Sequence, residues 1–214
     1  MEFANLTPNF SFFSIIAKFN LKGRLMNLDY YYKTLQDISL SMFRKSFFGI
    51  FHGSISAKVE ENQFMINKED TIFDSVKKDD LVLLYTKKDY RWNEASLDAD
   101  IHLNIYKNIK EAKFVCYAMP PYLVSYTFEH DFIIPKDYFS FMKFKKIEIY
   151  DPKNFEDWYE RAPHEVYKYM LDENSDIMII RGYGVYAYAR TASALAKKIA
   201  LLENSCKLLN LSQN

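Results

Sequence analysis

The stretch Asp176 to Ala189, DIMIIRGYGVYAYA, together with the apolar residues that follow it, constrains the fold more than any other part of the chain. It holds two apolar runs separated by Gly182 and Gly184, and it predicts two strands joined by a turn that needs glycine's backbone freedom. Beyond it, Ala192, Leu195, Ile199, Leu202, Cys206 and Leu209 step by three and four, which predicts one long amphipathic helix. A helix with a single apolar stripe has to bury that stripe, and a sheet beside it supplies the surface.

The same alternation runs upstream. Tyr31, Leu35, Ile38 and Met42 recur at helical spacing behind Asp29 as N-cap, predicting a helix from Asp29 to about Phe48 that Gly49 ends. Ile55–Glu60 and Gln63–Asn67 read as a hairpin around Glu61 and Asn62. Leu81–Thr86 is a short apolar run of the buried-strand kind, expected to lie beside a strand at Phe114–Ala118. Between them, Ser96 caps a predicted helix to Lys110 with Leu97, Ile101 and Ile105 on one face. Pro120 and Pro121 close the Phe114 strand and open a further short helix. A strand at Ile147–Tyr150 and a helix from about Phe155 to Leu171 complete an α/β pattern without internal repeat or interdomain linker.

Charge and cysteine content narrow the function classes. Lys and Arg together number 28 and Asp and Glu 28, so no net field draws the chain to nucleic acid or anionic lipid. Lys143, Lys145 and Lys146, interleaved with Phe141 and Phe144, read as the wet face of an edge strand. Phe10 to Phe19 is apolar but shorter than the ~20 residues of a spanning helix, with neither a basic n-region nor a small-residue cleavage site. No membrane partner is expected. Cys116 and Cys206 fit packing roles in a reducing cytoplasm. Residues 1–27 are taken as an N-terminal extension before a domain of residues 28–214.

Five short runs, in order, resemble the class II aldolase and adducin family, whose enzymes include fuculose phosphate aldolase and ribulose phosphate epimerase. Gly53-Ser54-Ile55-Ser56 matches a Gly-Asn-aliphatic-Ser turn, and Ile66-Asn67-Lys68-Glu69-Asp70 matches an Ile-Thr-Pro-Ser-Gly run. Ser96-Leu97-Asp98 stands where the family has Ser-Ser-Glu, and His102 and Tyr106 follow on the same helix. Tyr117-Ala118-Met119-Pro120-Pro121-Tyr122 corresponds to His-Thr-His-Pro-Pro-Tyr, and Arg181-Gly182-Tyr183-Gly184 to Arg-Asn-His-Gly. The likeness covers roughly Leu28 to Leu211. It implies a single three-layer domain, a central mostly antiparallel sheet flanked by helices.

What the resemblance implies about chemistry is a loss. The family's enzymes use a three-histidine zinc as the Lewis acid that stabilises an enediolate. The matching positions here are Tyr117, Met119 and Tyr183, a degenerate set of two phenols and a thioether. No cofactor is therefore expected; zinc or another divalent ion belongs only to the alternative of a diverged aldolase or epimerase. At the phosphate positions stand Ser54, Glu69 and Asp70, and the two carboxylates oppose a dianion. Ser54 and Ser96 keep hydroxyls for a substrate. Asp98 takes the place of the family's general acid/base Glu, with His102 four residues on, and Tyr138 falls near a tyrosine proton donor of some members. The expected function is a non-catalytic binding or assembly protein, with aldehyde-lyase or epimerase activity as the alternative. A homo-oligomer is expected, the family's enzymes being commonly tetramers.

Overall fold

The computed structural model describes residues 28–212, and among these the predicted strands lie in one sheet. Helix α1 spans 28–44. It is followed by β1 (Ser54–Glu60), β2 (Gln63–Asn67), β3 (Leu81–Tyr85), α2 (Ala99–Asn108), β4 (Phe114–Ala118) and α3 (Pro121–Glu129). Then come β5 (Phe132–Ile133), α4 (Tyr138–Phe144), β6 (Ile147–Tyr150), α5 (Trp158–Asp172), β7 (Ile177–Ile180), β8 (Gly184–Ala189) and α6 (Ala192–Leu211). The sheet order is β3-β2-β1-β4-β8-β7-β6-β5, and only the β6–β7 pair is parallel.

Side chains alternate across the strands, and each set faces a different helical layer. On one face Ile55, Cys116, Ile179 and Ala187 pack with Leu35 and Met42 of α1, Leu123 of α3, and Leu195, Ile199 and Leu202 of α6. On the other, Ile66, Val115, Met178 and Tyr186 pack with Ile101 and Ile105 of α2 and Trp158 and Val166 of α5. The three-layer, mostly antiparallel expectation holds. Each fully buried aliphatic side chain contributes on the order of 1.5–3 kcal/mol, so these two interfaces supply most of the drive to fold.

Several local expectations need correction. Helix α1 ends at residue 44, short of Phe48, because Ser46 turns to a positive φ of 59° and its N–H and that of Phe47 close on Phe43 and Met42. Phe48 leaves the helix to pack on Phe73, ring centres 4.6 Å apart. Asp29 lies inside α1 rather than capping it, and pairs with Lys78 at 2.9 Å. Strand β3 is not beside β4: it pairs with β2 at the sheet edge, while β4 lies between β1 and β8. An apolar run reports burial, not the identity of its neighbour. Helix α2 starts at Ala99, three residues after Ser96, and Leu97 is 60% exposed instead of joining the apolar face. Lys143 belongs to the short helix α4 with Phe141 and Phe144, not to an edge strand.

Cys116 and Cys206 are buried free thiols. Among the described residues no helix is long and apolar enough to cross a membrane. The apolar run Phe10 to Phe19 lies outside the described residues.

Candidate functional site

Strands β1, β4 and β8 run side by side, and their starts and ends bring the family-like motifs together at one end of the sheet. Ser54 pairs with Tyr117, and Tyr117 pairs with Tyr186. Gly184 permits this crowding: a Cβ there would lie 2.4 Å from the Ala118 carbonyl oxygen, and its φ of +149° is closed to other residues. The Ser96–Asp98 turn is moored to the hairpin, since Ser96 N–H donates to the Asn67 carbonyl at 3.0 Å. The Asn67 side chain accepts from Ile55 N–H at 2.8 Å.

A continuous chain of hydrogen bonds lies beneath this end. Ser54 Oγ donates to Asp98 Oδ2 at 2.6 Å, and Tyr186 OH donates to Asp98 Oδ1 at 2.7 Å. His102 Nε2 is 2.9 Å from Ser54 Oγ, His102 Nδ1 is 2.7 Å from Ser56 Oγ, and Ser56 Oγ is 2.7 Å from Tyr106 OH. Ser54 has one proton and gives it to Asp98, so His102 must donate through Nε2–H. A neutral imidazole then accepts at Nδ1 from Ser56, which accepts from Tyr106. Every donor points toward Asp98.

Burial sets the protonation of this chain. It depresses the His102 imidazole to about 3, keeping the ring neutral at ordinary pH. It raises the Asp98 carboxyl, while the Ser54 and Tyr186 hydroxyls pull it back. Tyr186 is pushed well above the phenol range by burial and by the adjacent Asp98 charge.

Above Asp98 opens a cleft of about 510 Å³. Ser96, Asp98 and Tyr117 border it from below, Tyr159, Tyr183 and Met119 from the sides, and Glu69 and Asp70 from the rim. The Tyr117 phenol donates to the Tyr183 carbonyl at 2.9 Å, and its ring lies tilted against those of Tyr183 and Tyr186, at 4.7 and 5.0 Å. Tyr183 OH donates to Tyr159 OH at 3.1 Å, and its ring meets Trp158 edge-on at 5.7 Å. Burial raises both the Tyr117 and Tyr183 phenols far above their ordinary value, so both keep their protons.

A three-histidine zinc site does not fit these residues. Two protonated phenols, one already bonded to a backbone carbonyl, and a thioether form a poor donor set for zinc. Among the described residues no three His, Cys, Asp or Glu side chains converge as metal ligands. The Asp98/His102 pair does not act as a direct bidentate site either, because Ser54 bridges it and His102 is fully buried.

The other predicted residues divide. Ser96 and Asp98 reach the cleft, as do Tyr117, Met119 and Tyr183. Ser54 is fully buried with its hydroxyl committed to Asp98, so in this arrangement it supports that carboxylate instead of touching a substrate. Tyr138 opens α4 with 71% exposure and does not line the cleft of its own chain. Two backbone donors of the cleft are engaged within the chain: Glu69 N–H binds the Glu94 carbonyl and Gly182 N–H binds Thr127 Oγ1. Sequence reasoning missed Tyr186 and Tyr159. Tyr186 was legible in principle, as the next residue on the same face of β8 as Gly184, whereas Tyr159 enters from α5 and left no sequence signal.

These motifs, in this order on this sheet, match known proteins. The model of the class II aldolase and adducin N-terminal domain family covers residues 33–209. The L-fuculose-1-phosphate aldolase structure from Thermus thermophilus superposes with a TM-score of 0.72 at 17% identity, covering 86% of this chain and 94% of that one. A sugar-phosphate aldolase from Thermotoga maritima gives 0.70 at 14% identity over 87% and 97%. The N-terminal class II aldolase domain of a conserved protein from Thermoplasma acidophilum gives 0.61 at 12% identity over 83% and 92%. A comparison with curated proteins finds no significant match. At such identities the structural likeness carries the fold alone, and the family model, spanning most of the chain, carries the membership: this chain belongs to the class II aldolase and adducin N-terminal domain family.

Proposed function

We propose that this chain is a non-catalytic member of its family, a binding or assembly protein that keeps the cleft without the Lewis acid. The observation that supports this reading best is Tyr117. At a position that the resemblance assigns to a zinc ligand, its phenol is protonated, turned onto the Tyr183 carbonyl and packed against the Tyr183 and Tyr186 rings. Among the described residues the cleft is lined by no Lys or Arg that would stabilise an enediolate, and His52 is the one imidazole in the lining.

The alternative, a diverged aldolase or epimerase, draws on Asp98, whose raised carboxyl at the cleft floor suits proton transfer. Elemental analysis of protein purified without chelator, paired with retro-aldol and epimerase assays on small aldehydes and ketoses, separates the two. The proposal predicts sub-stoichiometric transition metal and no turnover. A stoichiometric ion together with turnover that Asp98→Asn abolishes would establish the alternative. Assembly as a homo-oligomer in the cytoplasm is part of the proposal, and the exposed Phe139 and Met142 of α4 support it. Light scattering that gives a monomer at high concentration contradicts the oligomer.

A further inference from the structure

The cleft carries the opposite charge from the one a sugar phosphate needs. Among the described residues Glu69, Asp70 and Asp98 line it together with His52, and no Lys or Arg does. The basic residues next to them in sequence are committed elsewhere. Lys68 turns to Glu94 at 2.6 Å, and Arg181 is held by Asp131 at 2.6 Å and by the Thr127 carbonyl.

Asp98 is 4% exposed and borders the cleft with two hydroxyl donors and, among the described residues, no ion-pair partner. A carboxylate offers about four lone-pair sites, so its capacity is half used. Its field reaches the walls. After burial, the Asp98 charge raises the Tyr183 and Tyr159 phenols, and Glu69 adds to the effect at Tyr159. Negative potential thus runs from floor to rim. The rest of the lining is largely aromatic, with Phe51, Tyr117, Tyr159 and Tyr183 beside His52, Leu97 and Met119 around a volume of about 510 Å³. That volume lies within the range of small-molecule sites, and aromatic faces favour cations over anions.

We propose that the cleft binds a small organic amine, its ammonium group facing Asp98 and its alkyl body crossing the tyrosine wall toward Glu69 and Asp70. The inference rests on the reading that no Lewis acid occupies the cleft, since a bound cation would satisfy the same carboxylates. A second positive charge at the far end of the ligand would meet the rim pair, so a diamine or short polyamine fits better than a monoamine.

The test uses the full chain, with its metal content measured first. Putrescine, spermidine and choline are titrated by calorimetry and followed by thermal unfolding, with inorganic phosphate as the opposite-charge probe. At an amine concentration about a hundredfold above Kd the midpoint should rise by several degrees, and phosphate should not raise it. The double variant Glu69→Gln, Asp70→Asn alters only exposed side chains, so its midpoint without amine should match the parent. It should bind spermidine about tenfold or more weakly, as expected for losing two charges in a partly closed site. Asp98→Asn should remove binding.

A metal-free protein whose midpoint no amine raises would overturn the amine proposal and leave the non-catalytic reading standing. Spermidine binding that is equal in the parent, the rim variant and Asp98→Asn would place the amine elsewhere on the surface and would equally overturn it. A protein carrying a stoichiometric metal would instead overturn the reading beneath it.

Discussion

The two faces of the sheet use buried polar groups differently. On the face covered by α1, α3 and α6, the buried Glu203 of α6 accepts the Tyr122 and Leu123 N–H groups at 3.1 and 2.8 Å, satisfying the first turn of α3. That carboxylate serves the fold. On the face covered by α2 and α5, five side chains, from Tyr106 through Ser56, His102 and Ser54 together with Tyr186, pass their donors to the one carboxylate of Asp98. That network serves a cleft. One carboxylate closes the first turn of a neighbouring helix, whereas the other collects donors from β1, α2 and β8 at the edge of a cleft.

Perturbations of the two faces should therefore differ in size and in pH dependence. The largest effect is expected from His102→Ala, which leaves Ser54 and Ser56 without their shared partner and opens a cavity. Chemical denaturation should show a loss of about 3–5 kcal/mol. A loss below about 1 kcal/mol would mean that the network is not formed.

The next effect is that of acid. His102 sits near 3 in the folded chain against an ordinary 6.5, so as pH falls the unfolded chain takes the proton first. Its contribution is whole above pH 6.5 and drains away between 6.5 and about 3, at up to about 1.4 kcal/mol per pH unit. Asp98 works in the opposite sense, because its raised carboxyl takes up a proton in the folded chain at a higher pH than in the unfolded one. Comparing the parent with His102→Gln between pH 6 and 4 isolates the imidazole: the slope attributable to it should vanish in the variant.

A smaller change is expected from Tyr186→Phe, which keeps the ring and deletes one donor to Asp98. It should cost about 1–2 kcal/mol and raise the Asp98 carboxyl further, readable by carboxyl-carbon NMR titration. The smallest is Glu203→Ala on the other face, about 1 kcal/mol, with no change in Asp98 titration. If Glu203→Ala moved the Asp98 titration as far as Tyr186→Phe does, the division between the faces would be lost.

Much of the fold was readable because its elements obey one period at a time. The β1–β2 hairpin, the proline-started α3, the Gly-broken pair β7–β8 and the long α6 all stand where alternation and turn residues put them. Errors fell where local pattern is silent. The pairing of β3 with β2 depends on which hairpin edge is free, and α4 is only seven residues long, too short for Phe141, Lys143 and Phe144 to declare a helix. At the site, the i, i+4 spacing of Asp98 and His102 placed both on one helix face. It could not show that Ser54, 44 residues upstream of Asp98, would stand between them. Such bridges come from strand register, which sequence spacing does not encode.

The central proposal is that the donor set at the positions the resemblance assigns to the metal, Tyr117, Met119 and Tyr183, does not hold zinc. Zinc titration of the parent chain at neutral pH tests it most directly, with Tyr117→His, Met119→His, Tyr183→His as the restored comparison. The account predicts no saturable one-to-one zinc binding by the parent and a tighter, stoichiometric site in the triple variant. One equivalent of zinc held at micromolar or tighter affinity by the parent, and lost in Tyr183→Phe, would contradict it.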